Sequence, residues 1–140
     1  MSEENVESVR RMADVFNRSG IEAALPYVDQ QIEWYGPPEW LEQHVYKGHE
    51  GMRQLAATWS DNFDGLRFDV ERIIDVADDE LLVLAYQRGR IKESGVPIEL
   101  RVGYEWRLRK GKTVRVQAHF SWEQALEAVG LSEQDARADS

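Results

Sequence analysis

From about residue 66 to residue 121 the chain is β-rich, and over Ile98 to Arg109 and Val114 to Ser121 apolar and polar side chains alternate with a period of two, the pattern of strands with one buried face. Before that stretch, apolar positions recur every three or four residues in two places, the pattern of helices lying on something flat. Val6, Val9, Ala13 and Phe16 form the first helical stripe, predicting a helix from Glu3 to Arg18 with Ser2 as its cap and Gly20 as a left-handed terminator. A second helix is predicted from Ile21 to Val28, held to about two turns by Pro26, which lacks a backbone donor. A strand over Gln31 to Tyr35 stops at Gly36-Pro37-Pro38. The aperiodic stretch over residues 39–48, with Trp40, His44 and Tyr46, suits an ordered loop that covers something. Met52, Leu55, Ala56, Trp59 and Phe63 mark a third helix, His49 to Asn62, with one face for a sheet.

Four β-rich segments follow, Leu66 to Asp75, Leu81 to Ile91, Ile98 to Arg109 and Val114 to Ser121, joined by short polar turns as an antiparallel meander. In the last two, the even positions are apolar (Ile98, Leu100, Val102, Tyr104, Trp106, Leu108; then Val114, Val116, Ala118, Phe120, Trp122), so the even face is inside. Matching apolar partners sets Leu82 opposite Leu108, Leu84 opposite Trp106 and Tyr86 opposite Tyr104, with Arg88 opposite Val102. Across the next hairpin, Trp106 faces Val116, Tyr104 faces Ala118 and Val102 faces Phe120. These registers predict a small apolar pocket left open by Ala118. Its lining would be Tyr86, Tyr104 and Phe120, with Trp59 above, Trp34 on the neighbouring strand and Arg88 at the mouth.

Candidate proton-transfer groups are His119 and Tyr35. Both have odd parity and face away from the pocket, but a β-bulge would turn His119 inward, and the five-residue strand carrying Tyr35 fixes parity too weakly to keep it out. The carboxylates Asp69, Glu71 and Asp75 share an odd face opposite Phe68, Val70 and Ile74 and read as solvated. Arg101, Glu105, Arg107 and Arg115 form either a solvated outer face or a dimer contact. His44 and His49 read as solvated too. Ser121-Trp122-Glu123-Gln124 fits a capping box before a short helix carrying Ala125, Leu126 and Val129.

With 140 residues, 42% hydrophobic and 31% charged, the chain has room for one globular domain, assigned to residues 1–131, and a tail over 132–140 expected to fray. The absence of cysteine excludes disulfides, thiol nucleophiles and thiolate metal sites. Lys+Arg 17 against Asp+Glu 26 leaves a net charge of −9, which repels nucleic acid and anionic membrane surfaces. No apolar run is long enough to span a bilayer, and the acidic start Met1-Ser2-Glu3-Glu4 is unlike a secretory signal, so a cytoplasmic protein is expected. The three histidines are too scattered to hold a metal and no glycine pattern cradles a phosphate, so no cofactor is expected.

Between Val6 and Leu131 the chain resembles SnoaL-like domains of the nuclear transport factor 2-like superfamily. The resemblance is carried by Ile32-Glu33-Trp34-Tyr35-Gly36-Pro37-Pro38-Glu39-Trp40, Tyr46-Lys47-Gly48-His49-Glu50-Gly51, Gly95-Val96-Pro97-Ile98-Glu99-Leu100-Arg101, Trp106-Arg107-Leu108-Arg109-Lys110-Gly111-Lys112 and Ala125-Leu126-Glu127-Ala128-Val129-Gly130-Leu131. It implies an α+β cone, three N-terminal helices packed on a strongly curved mixed or antiparallel sheet with a short C-terminal helix, often a homodimer through the outer sheet face. Relatives include polyketide cyclases, ketosteroid isomerases, epoxide hydrolases, dehydratases and non-catalytic domains, so fold alone does not choose a reaction. Where the isomerases carry their base, their acid and their helix tyrosine, this chain has Tyr35, Gly103 and Met12. The leading expectation is a pocket for a small, largely apolar molecule with a carbonyl or carboxylate near Tyr86, Tyr104 and Arg88. The alternatives are a cyclase-, isomerase- or hydrolase-like enzyme using His119 or Tyr35 as base, and a dimeric interaction module.

Overall fold

The computed structural model describes residues 2–38 and 45–132, Ser2 by its backbone alone. Trp40, His44 and the tail beyond residue 132, all singled out above, lie outside the described residues. The α+β class and the order of elements are as the pattern predicts, except for a short strand over Val45–Lys47 where a loop is expected. Helix α1 spans Ser2–Ser19, α2 is one turn over Ile21–Ala24, and a 3-10 turn covers Leu25–Tyr27. Strands β1 (Val28–Tyr35) and β2 (Val45–Lys47) precede α3 (Gly48–Asn62). Then come β3 (Phe63–Ala77), β4 (Glu80–Ile91), β5 (Pro97–Arg109), β6 (Lys112–His119) and α4 (Trp122–Ala128). Pro26 sits at the start of the 3-10 turn, where its missing N–H costs nothing, which is why the second helix is short.

The strands form one sheet in the order β2-β1-β6-β5-β4-β3, antiparallel except where β1 runs parallel to β6. Helices α1 and α3 cover one face. The core between them and the sheet includes Val9, Met12, Ile32, Trp34, Met52, Leu55, Val83, Val102, Tyr104, Trp106 and Val116. A second cluster lies on the opposite face, where Ala125 and Leu126 of α4 cover Ile74, Leu82 and Leu84. Ser121 caps α4 by accepting from the Gln124 N–H at 3.2 Å, as the capping box requires.

The sheet corrects the predicted register of β4 on β5. Leu81 pairs with Trp106, Val83 with Tyr104, Ala85 with Val102 and Gln87 with Leu100. Odd residues of β4 therefore share the helix-covered face with even residues of β5, and Leu82, Leu84, Tyr86 and Arg88 point to the other face. The cause is that β4 is buried on both sides, so apolar matching carried no information about which side was which. Two bulges shift parity elsewhere. In β3 the ladder slips between Val70 and Arg72, so Phe68 and Val70 face α1 and α3 while Ile74 turns toward α4. In β6 it slips between Arg115 and Thr113, so Thr113, and not Val114, is the residue buried beside Leu108. The Thr113 hydroxyl accepts from Trp106 Nε1 at 2.8 Å. The β5–β6 pairings Tyr104 with Ala118 and Trp106 with Val116 are as expected.

Candidate functional site

Trp34 of β1, Trp59 of α3 and Tyr104 of β5 meet edge to face on the helix-covered side of the sheet. Ring centroids stand 6.1 Å apart for Trp34–Trp59 and 5.4 Å for Trp34–Tyr104. Phe68 of β3 closes the group, 5.0 Å from Trp59 and 6.4 Å from Tyr104. Its position is set by Asn17 of α1, whose side chain accepts from the Phe68 N–H and donates to the Phe68 C=O, both at 2.9 Å. One side chain thereby satisfies both backbone groups at the free edge of the sheet and fixes the ring above it.

This aromatic layer divides two spaces. Below it is a narrower space of about 50 Å³ among apolar groups including Met12, Met52, Val83 and Trp106. Above it a cleft of about 770 Å³ opens toward solvent, lined by Trp34, Trp59, Tyr104, Ala118, Gln87, Leu100 and Phe120 with Gly36, Pro37, Tyr46 and the end of α3. That volume is within the range of small-molecule sites. At the mouth Phe120 is 46% and Leu100 42% exposed, so the rim is apolar as well. The turn that forms one wall is pinned by Gln117 Nε2, which donates to Gly36 O at 2.8 Å. Among the described lining residues none carries a formal charge.

Among the buried residues of this lining, Tyr104 and Gln87 carry polar ends with no hydrogen-bond partner among the described residues, as does the Trp34 indole N–H. The Tyr104 side chain is 5% exposed and so is that of Gln87. Every fully enclosed side-chain nitrogen or oxygen among the described residues has a partner, so unpartnered polar ends reach open space, and the space these two line is the cleft. Thr58 and Asn62 at the mouth are instead turned back onto α3, donating to Gln54 O at 3.0 Å and Thr58 O at 2.7 Å. Burial pushes the Tyr104 phenol well above its ordinary range, so at neutral pH it is a hydrogen-bond donor and not a phenolate base.

Of the residues predicted from the sequence, Trp34, Trp59, Tyr104 and Phe120 are brought together in the cleft. Four others are placed elsewhere. Tyr86 lies on the opposite face, its ring 5.0 Å from Trp122 of α4 and 4.4 Å under the Arg88 guanidinium. Arg88 is held there by Asp69 at 2.7 Å and Glu99 at 2.9 Å, the cross-strand ion pair its register dictates. His119 keeps its odd parity but is buried, donating from Nε2 to Glu105 Oε2 at 2.8 Å. Tyr35 lies beside Glu33, to which its hydroxyl donates at 3.1 Å, and under Arg115 at 4.8 Å. That hydrogen bond, with desolvation and the Glu33 charge, raises the Tyr35 pKa, the wrong direction for a base. His49, expected to be solvated, donates to Val28 O at 2.8 Å and joins α3 to β1. Gln87 was missed because the wrong register turned it outward. The signal that finds it is charge: only the observed register sets Arg88 opposite Glu99 and Glu80 opposite Arg107.

A family model described as a SnoaL-like domain matches residues 9–116. The chain belongs to the SnoaL-like domain family. No curated relative matches this SnoaL-like chain in sequence. Solved structures share its fold. An NTF2-like protein of unknown function from Burkholderia pseudomallei is 18% identical, with 91% of this chain and 98% of that one covered at a TM-score of 0.73. TerC, crystallised with polyporic acid, is 21% identical, covering 90% and 98% at 0.73. A putative SnoaL-like polyketide cyclase from a Jannaschia species is 17% identical, covering 91% and 92% at 0.72. At these identities the likeness is one of fold. Among the described residues, no helix of this SnoaL-like domain is long and apolar enough to cross a membrane, and no group of three or more acidic or histidine side chains could hold a metal ion.

Proposed function

We propose that this SnoaL-like domain binds a small, largely apolar molecule in the cleft and orients it through the Tyr104 hydroxyl. The observation that carries the reading is that hydroxyl itself, the protonated end of a residue only 5% exposed, without a partner among the described residues and reaching the open space of the cleft. A ligand that closes the cleft without offering this donor an acceptor leaves it desolvated at a cost of about 1–3 kcal/mol, which a ligand acceptor avoids. Apolar walls supply the remaining affinity and the Tyr104 donor supplies orientation. That TerC was crystallised with polyporic acid is consistent with a fold that houses small molecules.

The enzymatic alternative is less well supported, because the described cleft residues offer a hydrogen-bond donor but no carboxylate or imidazole to move a proton. The test uses 2-acetonaphthone, a neutral bicyclic ketone, followed by quenching of tryptophan fluorescence. Tyr104→Phe is expected to weaken binding about tenfold, equivalent to about 1.4 kcal/mol, while the melting temperature stays within about two degrees of the parent. Equal affinity in parent and variant removes Tyr104 from the site, and absence of quenching in the parent removes the cleft.

A further inference from the structure

Gln87 has no place in the sequence-based site, and its environment says more about the ligand than the aromatic walls do. Its side chain is 5% exposed, lies between Phe68 and Leu100 on the neighbouring strands, and lines the cleft. Neither end of its amide, the Oε1 acceptor or the Nε2 donor, has a partner among the described residues, and both reach the open space of the cleft. We propose that the cleft selects an uncharged ligand carrying an acceptor and a donor side by side, a carboxamide, lactam or imide, and that Gln87 is the residue that reads this group. The inference rests on the cleft being a ligand site, and it adds the chemical class.

The argument proceeds by elimination among ligand head groups. A carboxylate only accepts, so it satisfies Nε2 and turns a lone pair toward Oε1. It also loses its hydration in a lining with no cation among the described residues to replace it. The molecule's net charge of −9 opposes it further. An ammonium only donates and meets no carboxylate in the described lining. A ketone or ether leaves Oε1 enclosed and unpaired. A cis-amide edge or a primary carboxamide satisfies both ends in a cyclic pair of hydrogen bonds, donor to acceptor on each side, and adds no charge to an apolar space. A site that holds a buried donor and acceptor together rejects analogues lacking either, because the unpaired protein group is then left desolvated.

The experiment compares 2-naphthamide, 2-acetonaphthone and 2-naphthoate, one ring system with three head groups, at pH 7 by tryptophan quenching. The parent is expected to bind the amide about tenfold more tightly than the ketone, and the naphthoate about a hundredfold more weakly than the amide. In Gln87→Leu the amide and ketone are expected to bind within about twofold of each other. In Gln87→Glu the preference for the amide over the ketone is expected to be lost while naphthoate binding weakens further. Circular dichroism melts verify that both variants fold, and Gln87→Met replaces the leucine variant if that one does not. Indistinguishable affinities for amide and ketone in the parent, or an amide preference that survives in Gln87→Leu, overturn the assignment of Gln87 while leaving the cleft as a site. If none of the three probes quenches the parent, the site and its selectivity fall together.

Discussion

Gly103 offers a sharp test of the geometry on which the cleft depends, because it and Tyr104 are neighbours on opposite faces of β5. A Cβ added at Gly103 would lie 2.3 Å from Ala125 Cβ and 3.4 Å from Leu84 Cδ2. Ordinary methyl contact needs about 4 Å, so α4 must lift by more than an ångström or the strand must sink into the aromatic layer. The first course opens the cluster of Ile74, Leu82, Leu84, Ala125 and Leu126. It also strains the two hydrogen bonds that Trp122 Nε1 makes to Ala85 O and Val102 O, each 3.1 Å. Overpacking of this kind costs about 1–3 kcal/mol. The gain from a less flexible unfolded chain offsets about 0.4–1 kcal/mol, since Gly103 does not need a left-handed backbone. Gly103→Ala is therefore expected to lose about 1–2 kcal/mol in urea unfolding, with little change in slope. The loss should shrink in the Gly103→Ala, Ala125→Gly double variant relative to the sum of the singles. A Gly103→Ala protein as stable as the parent, or strictly additive single variants, would refute the placement of α4 and the parity of β5.

Two further predictions concern the frame around the cleft. Thr113→Val leaves the Trp106 indole N–H buried without its acceptor and is expected to cost about 1–3 kcal/mol in urea unfolding, whereas an unchanged midpoint would mean the 2.8 Å hydrogen bond contributes nothing net. For Asp69, burial pulls the carboxyl upward, but hydrogen bonds from Arg88 and Arg67 outweigh it and hold the pKa below 3.8. A folded pKa below the unfolded one gives stability that is present above about pH 4 and lost as pH falls through the folded value. Asp69→Asn should therefore cost about 0.5–1 kcal/mol at pH 7 and flatten the acid limb of stability against pH, and parallel limbs for the two proteins would contradict it.

The sequence makes the elements readable wherever one face alone is buried. Strict alternation in β5 puts Val102, Tyr104, Trp106 and Leu108 inside, and the capping box locates α4, because each is a local signal with one interpretation. The continuous apolar run Leu81-Leu82-Val83-Leu84-Ala85 is different. Helices α1 and α3 cover one side of it and α4 the other, so its hydrophobicity is the same whichever side each residue takes. That ambiguity exchanged Gln87 for Tyr86 and Arg88 in the predicted pocket. The opposed charges of Glu80 and Arg107, and of Arg88 and Glu99, resolve it, since weak cross-strand attractions still discriminate when apolar matching is degenerate. The bulges in β3 and β6 had no such signal, and so the burial of Thr113 and the turn of Ile74 toward α4 emerge only from the folded chain.

The account turns on which side of the sheet meets a ligand, and amide chemical shifts read that directly. Titrating 2-acetonaphthone into ¹⁵N-labelled protein should move the backbone signals of Tyr104, Ala118 and Leu100, the Gln87 side-chain amide and the Trp34 and Trp59 indoles, residues that line the cleft. The signals of Tyr86, Arg88, Glu105 and His119 on the opposite face should remain in place. Shifts concentrated on Tyr86, Arg88 and His119, with the cleft signals unmoved, would contradict it.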